Sequence, residues 1–159
     1  MLQPYFQAMN DSWVAKAISE SLWIYPLDQA IHLVFLALFA GAILILDIRL
    51  LGMGMREQSV SKVARDAWPW MLVGLLGLVA TGIPQLIQNA MREYYSEFFW
   101  IKMYVLPVAL IYTLTVRRMV SQAEEGRVNP GMQKIVGLVS ILLWFGGVAI
   151  PSRLIGLFT

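Results

Sequence analysis

His32, Gln85, Lys102 and Arg153 stand out because each interrupts a long apolar run. Threading four such runs alternately through about 30 Å of hydrocarbon brings all four residues within roughly two turns of one membrane face. An ionisable group at that depth costs roughly 2.5 to 3.5 kcal/mol on insertion scales, so it usually faces a bundle interior and marks a site. His32, the one histidine in the chain, offers an imidazole that can ligate haem iron, relay a proton or simply hydrogen-bond in a core. Lys102 and Arg153 offer positive charge to a carboxylate or phosphate, Arg153 as a planar fork.

The neighbours of these residues leave several roles open. Asp28 lies four residues before His32, on the same helix face, where it can orient the imidazole or cap the helix that follows Pro26. Lys102 stands in the run Trp100–Tyr104, where its stem can snorkel to the surface or turn inward as a free cation. Tyr104 joins His32, Gln85, Lys102 and Arg153 in the set expected to contact a cofactor, and His32 is the expected metal ligand. Asp47 and Arg49 are expected at the opposite face, with Arg65, Asp66 or lipid head groups, in a structural role.

The elements that must hold these side chains follow from hydropathy. Of 159 residues, 58% are hydrophobic and only 14% charged, and the mean hydropathy of +0.65 is that of a membrane protein. Four spans are expected, at about residues 27–51, 68–87, 98–116 and 135–157, leaving room for one all-α membrane domain over residues 1–159. Arg49, Arg56, Lys62 and Arg65 fall between the first two spans, and Arg117, Arg118, Arg127 and Lys134 between the last two. By the positive-inside rule those loops face the cytoplasm, which puts both termini and the polar cluster outside.

Residues 1–25 lack the basic start, apolar core and cleavage site of a signal peptide. Trp13, Val14, Ala17, Ile18 and Leu22 recur at helical spacing, with Asp11 or Ser12 as a cap and Pro26 as a stop, so an amphipathic helix along the interface is expected; a disordered chain end is the alternative. Tyr94, Tyr95, Phe98, Phe99, Trp100, Trp68, Trp70, Trp23 and Tyr25 read as interfacial anchors. Ala37 with Gly41, Gly74 with Gly77 and Thr81, Gly137 with Ser140, and Gly146 with Gly147 allow close helix approach, or room for a flat macrocycle. Pro84, Pro107 and Pro151 each remove a helical hydrogen bond.

Several classes of activity find no support. The net charge of +2 comes from scattered basic residues with no basic stripe, so nucleic acid is not an expected partner. Without cysteine the chain carries no disulfide, iron–sulfur cluster or thiolate metal site. It has no nucleophile elbow, HExxH helix or phosphate loop. The cytoplasmic halves of the spans are nearly all apolar, which argues against a channel.

The run Asp28–Arg49, with His32, Gly41, Asp47 and Arg49, resembles the first helix of small bacterial membrane proteins related to copper resistance protein D. It is also similar to the HemJ-type protoporphyrinogen oxidase, and Trp100 and Lys102 match that family's Trp-x-Lys arrangement in the third span. The likeness covers about two of four helices. It implies that His32 is an axial ligand of haem b and that Lys102 and Arg49 are functional. The chain departs from that group in having no second histidine at the third helix. A second axial ligand would then be absent, or be Met103 or Met91, or be His32 of a second copy across a twofold axis.

The leading expectation is a four-helix cytochrome b-like membrane protein in electron transfer, with a quinone or a redox protein as partner and Lys102 and Arg153 facing the haem propionates. A cofactor-free accessory subunit of a larger membrane complex is the alternative. A copper protein using methionine ligands is the third.

Overall fold

Two prolines, Pro69 and Pro84, fall inside one unbroken helix of 29 residues, because helix–helix packing outweighs the single backbone hydrogen bond each removes. The computed structural model describes residues 2–55, 57–123, 128–152 and 154, and all its regular elements are helical. They are α1 (Gln3–Asn10), α2 (Trp13–Glu20), α3 (Ile24–Leu50), α4 (Val60–Gln88), α5 (Ala90–Tyr95), α6 (Glu97–Gln122) and α7 (Pro130–Ser152). Helices α3, α4, α6 and α7 are each long and apolar enough to cross a membrane.

The helices outrun the expected spans because caps, not hydropathy, set their ends. The Ser59 hydroxyl accepts from Lys62 N at 3.2 Å, so α4 begins eight residues before Trp68 and carries Lys62, Arg65 and Asp66 on a helix. Asn129 accepts from Gly131 N at 2.9 Å, with Pro130 in the first turn, and α7 begins there rather than at Ile135. Helix α6 continues six residues past Val116, so Arg117 and Arg118 are helical rather than in a loop. Most of the expected fourth span beyond Ser152, including Arg153, lies outside the described residues.

The N-terminal segment is two helices rather than one. Ser12 breaks the run and caps α2, accepting from Ala15 N at 3.2 Å. Helix α1 docks on α5 and α6. Phe6 lies 5.3 Å from the ring of Tyr94 and 6.1 Å, edge-on, from Phe99, and Gln3 donates to Tyr95 Oη at 3.1 Å. Part of the expected aromatic belt is thus a socket for the chain's own first helix. Helix α2 packs on α4 and leaves Trp13 80% exposed.

Glycines explain how closely α3 and α4 pair. A Cβ on Gly74 would lie 2.8 Å from the Phe39 backbone nitrogen, and the Phe35 ring occupies the space beside Gly77. Helices α6 and α7 form the second pair, with Val105 against Gly147. The pairs join through Phe39, Ala42, Ile43, Met71, Ala109 and Trp144, where Phe39 and Trp144 meet edge to face at 4.7 Å. Toward the Asp47 end α7 packs on α3 and the last turns of α6 on α4. Both α6 (Thr113–Arg117) and α7 (Leu142–Ala149) carry π-helical segments, the first toward the Asp47 end and the second running from mid-bundle toward Val105. Trp144 Nε1 donates to Thr113 Oγ1 at 2.9 Å and ties the two together.

Candidate functional site

His32 Nδ1 lies 2.7 Å from Thr81 Oγ1, across the α3–α4 contact. The Thr81 hydroxyl donates its only hydrogen to the Gly77 carbonyl one turn back, also at 2.7 Å. Its oxygen must therefore accept from the ring, which fixes the neutral imidazole as the Nδ1–H tautomer and leaves the Nε2 lone pair free. The ring passes over Gly82, whose Cβ would meet His32 Cε1 at an ordinary 3.6 Å. The half-buried imidazole is thus oriented by one helix and held on another.

Asp28 is not its orienting partner. Gln85 Nε2 donates to Asp28 Oδ2 at 2.9 Å, forming a second polar bridge between α3 and α4 one turn beyond the first. Asn89 in turn donates to the Gln85 carbonyl at 3.2 Å. Lys102 lies seven residues before Ala109 on α6, as His32 lies seven before Phe39 on α3, and Ala109 and Phe39 share one core cluster. The two residues therefore stand at a similar depth, near enough for the charges of Lys102 and Asp28 both to act on the imidazole.

The other expected contacts divide. Tyr104 is 72% exposed on α6. Arg153 falls outside the described residues. Thr81, read from sequence only as a small packing residue, is the partner that matters. Its signal was its place four residues after Gly77 and four before Gln85, on the face that meets α3.

Beyond the spans, burial pushes the Glu93 carboxyl above the usual glutamate range, against the opposing pull of Lys102 and Arg92. Gln88 Oε1 and Ser96 Oγ, near the same end, are buried without a hydrogen-bond partner among the described residues.

A second polar centre lies at the opposite end. Asp47, expected at the interface beside Arg49, Arg65 or lipid, is instead fully buried and paired with Arg117 at 2.8 Å. Arg117 also donates to the Ile43 carbonyl at 2.9 Å and reaches Met71 Sδ at 3.8 Å. Ser140 lies beside the carboxylate. Ser140 Oγ and Asp47 Oδ2 are buried without a hydrogen-bond partner among the described residues, while the nearby Val136 carbonyl accepts from Tyr112 Oη at 3.0 Å. The expectation of nearly all-apolar halves at this end therefore fails, because Arg117 belongs to α6 and reaches inward. Arg49 pins the following loop, its Nε donating to the Gln58 carbonyl at 2.7 Å. Arg118 stacks 4.5 Å over Trp68.

Among the described residues no three His, Cys, Asp or Glu side chains gather as a metal cage. Any metal at the His32 end would be held by the imidazole together with ligands of another kind. A family model described as a family of unknown function (DUF6644) matches residues 12–158. No curated protein and no solved structure matches the chain.

Proposed function

The chain belongs to the DUF6644 family, and we propose that it is a multi-pass, cytochrome b-like protein of a bacterial inner membrane that holds haem b through His32. One observation carries this reading: the Thr81–Gly77 relay leaves His32 with its Nδ1 anchored and its Nε2 open. Ligating histidines are prepared in this way, one ring nitrogen bonded to a protein acceptor and the other facing the metal. In this reading the basic loops lie in the cytoplasm and the His32 end lies outside. Helices α1 and α2 rest on the outer interface, Trp13 inserting into it.

The residues present would offer the group one ligand and one counter-charge. His32 Nε2 would hold the iron, and Lys102, at a similar depth, would neutralise a propionate. Bound haem would supply a one-electron couple. Thr81 fixes the tautomer and the plane of the ring. Gln85 and Asp28 satisfy each other one turn farther out, so neither competes for Nε2. Work in electron transfer would then require a quinone or protein partner at the membrane, and a second copy would be one source of a further iron ligand.

The test is a visible spectrum of protein purified in detergent and reconstituted with haem. A Soret band should appear in the wild type and vanish in His32→Ala while the helical circular dichroism stays. A wild type that takes up no haem, or a His32→Ala protein that binds it equally, overturns the reading. A second reading, a cofactor-free subunit of a larger membrane complex, draws on Gly146, beside which a Cβ would meet nothing within 4 Å. Such open small-residue faces suit a neighbouring helix.

A further inference from the structure

A cavity of about 20 Å³ opens between α4 and α6 at the Asp47 end, with room for little more than an oxygen-sized atom. Its inner wall includes Leu46, Met71, Thr113 and Arg117, all buried. Arg118 and Gln122, both exposed, stand with the partly buried Trp68 at the mouth.

The lining offers donors and no acid. Arg117 is held by Asp47, the Ile43 carbonyl and Met71 Sδ, and each of its terminal nitrogens keeps one further N–H. Asp47 cancels the charge of Arg117, so the uncancelled charge of the lining is that of Arg118. Its guanidinium lies 4.5 Å from the centre of the Trp68 ring and makes no ion pair or hydrogen bond among the described residues. A guanidinium resting on an aromatic ring keeps its in-plane N–H fork, whose spacing suits the oxygens of a phosphate. Gln122 adds an amide, and no aspartate or glutamate lines the cavity. Tryptophan is enriched at the membrane–water interface, so Trp68 sets the mouth at the level where the phosphates of a bilayer lie. Basic pockets between spanning helices on that side take lipid head groups.

We propose that this cavity receives the phosphate of a phospholipid of the cytoplasmic leaflet, one oxygen turned in toward Arg117 and the others held at the mouth by Arg118 and Gln122. The assignment rests on the membrane placement of the reading above but not on haem. A head group that carries only the phosphate charge binds more tightly than one that also brings a quaternary ammonium beside Arg118. Glu124 and Glu125 follow Gln122 closely in the chain, so their carboxylates are the competitor to be separated from a lipid.

The experiment uses the full chain in maltoside micelles, titrated with dioleoylphosphatidylglycerol or dioleoylphosphatidylcholine, with retained lipid counted by native mass spectrometry in wild-type and His32→Ala protein. Both proteins should hold phosphatidylglycerol at least fivefold more tightly than phosphatidylcholine. Arg118→Gln lowers that affinity at least tenfold with the helical circular dichroism unchanged. Gln122→Glu, at an exposed position, does the same and serves if Arg118→Gln does not fold. Lys134→Gln, an exposed basic position on α7, changes nothing. Equal binding of the two lipids, or equal loss in Lys134→Gln and Arg118→Gln, overturns the proposal, the latter as diffuse attraction to basic loops. Displacement of the lipid by millimolar inorganic phosphate assigns the site to the free anion and overturns the lipid assignment. Lipid held only after Glu124→Gln with Glu125→Gln makes the chain's own carboxylate the occupant and overturns it too. Loss of haem in His32→Ala with lipid retention intact separates this site from the one above.

Discussion

The molecule holds polar side chains at two depths, and the two centres are built to opposite ends. At one, Asp47 and Arg117 are sealed, 0% and 3% exposed, and the guanidinium is spent on a carboxylate, a carbonyl and a thioether. At the other, His32 is half-buried and spends one ring nitrogen only. The sealed pair ties α3 to α6 and with them the two helix pairs. The open imidazole ties α3 only to α4, which glycine packing already holds. Polarity inside a membrane protein therefore does not itself mark a reactive site: Asp47 Oδ2 and Ser140 Oγ are also without a hydrogen-bond partner among the described residues, but both are sealed, whereas the open ring nitrogen belongs to the half-buried His32.

The largest effect should come from breaking the sealed pair. Asp47→Ala leaves a buried guanidinium uncompensated and should destabilise the bundle by about 3–5 kcal/mol, whereas the double change Asp47→Leu with Arg117→Met should restore most of that loss. Unfolding in mixed micelles measures both, and a double variant no better than the single one would mean that the pair itself holds the fold. Gly74→Ala comes next, since its Cβ would lie 2.8 Å from the Phe39 backbone, which cannot yield as a side chain can; a loss of about 1–3 kcal/mol is expected by the same assay.

At the open centre stability and binding should separate. Thr81→Val removes the acceptor for His32 Nδ1 and should weaken haem binding about 10–100-fold, read from a titration of the Soret band. His32→Ala should abolish that band yet cost only about 1 kcal/mol of stability, the worth of one hydrogen bond. If it destabilised as Asp47→Ala does, the contrast between the two ends would collapse.

The smallest effect concerns Glu93. Its folded-state value is raised by burial, so the folded protein prefers the protonated carboxyl. The stability this gives is full below the unfolded glutamate value and is lost as pH rises through the raised folded value. Glu93→Gln should remove that decline and make melting flatter with pH across the mildly acidic range. An unchanged melting profile would show the carboxyl to be solvated.

Much of this architecture was legible in the chain. Four apolar runs of sufficient length leave few alternatives, since a backbone in hydrocarbon must satisfy its own hydrogen bonds. Helix ends were less so: hydropathy stops at Trp68 and Val116, while Ser59 and the helical reach to Gln122 carry α4 and α6 beyond them. At the His32 end the i, i+4 spacing pointed to Asp28, and the true partner sits 49 residues away on another helix. Arg117 was misplaced for the same reason, since its position in a basic run says nothing of the carboxylate 70 residues earlier that it faces.

Composition and periodicity alone determined an all-helical chain with four helices able to span a membrane, and singled out His32 as the histidine within them, because hydrophobic length and residue type are local properties. Which nitrogen of His32 is free, which carboxylate is sealed and where a cavity stays open were decided only when α3, α4, α6 and α7 packed. Each of those depends on a rotation and a register between helices, and a residue's own neighbours in sequence carry neither.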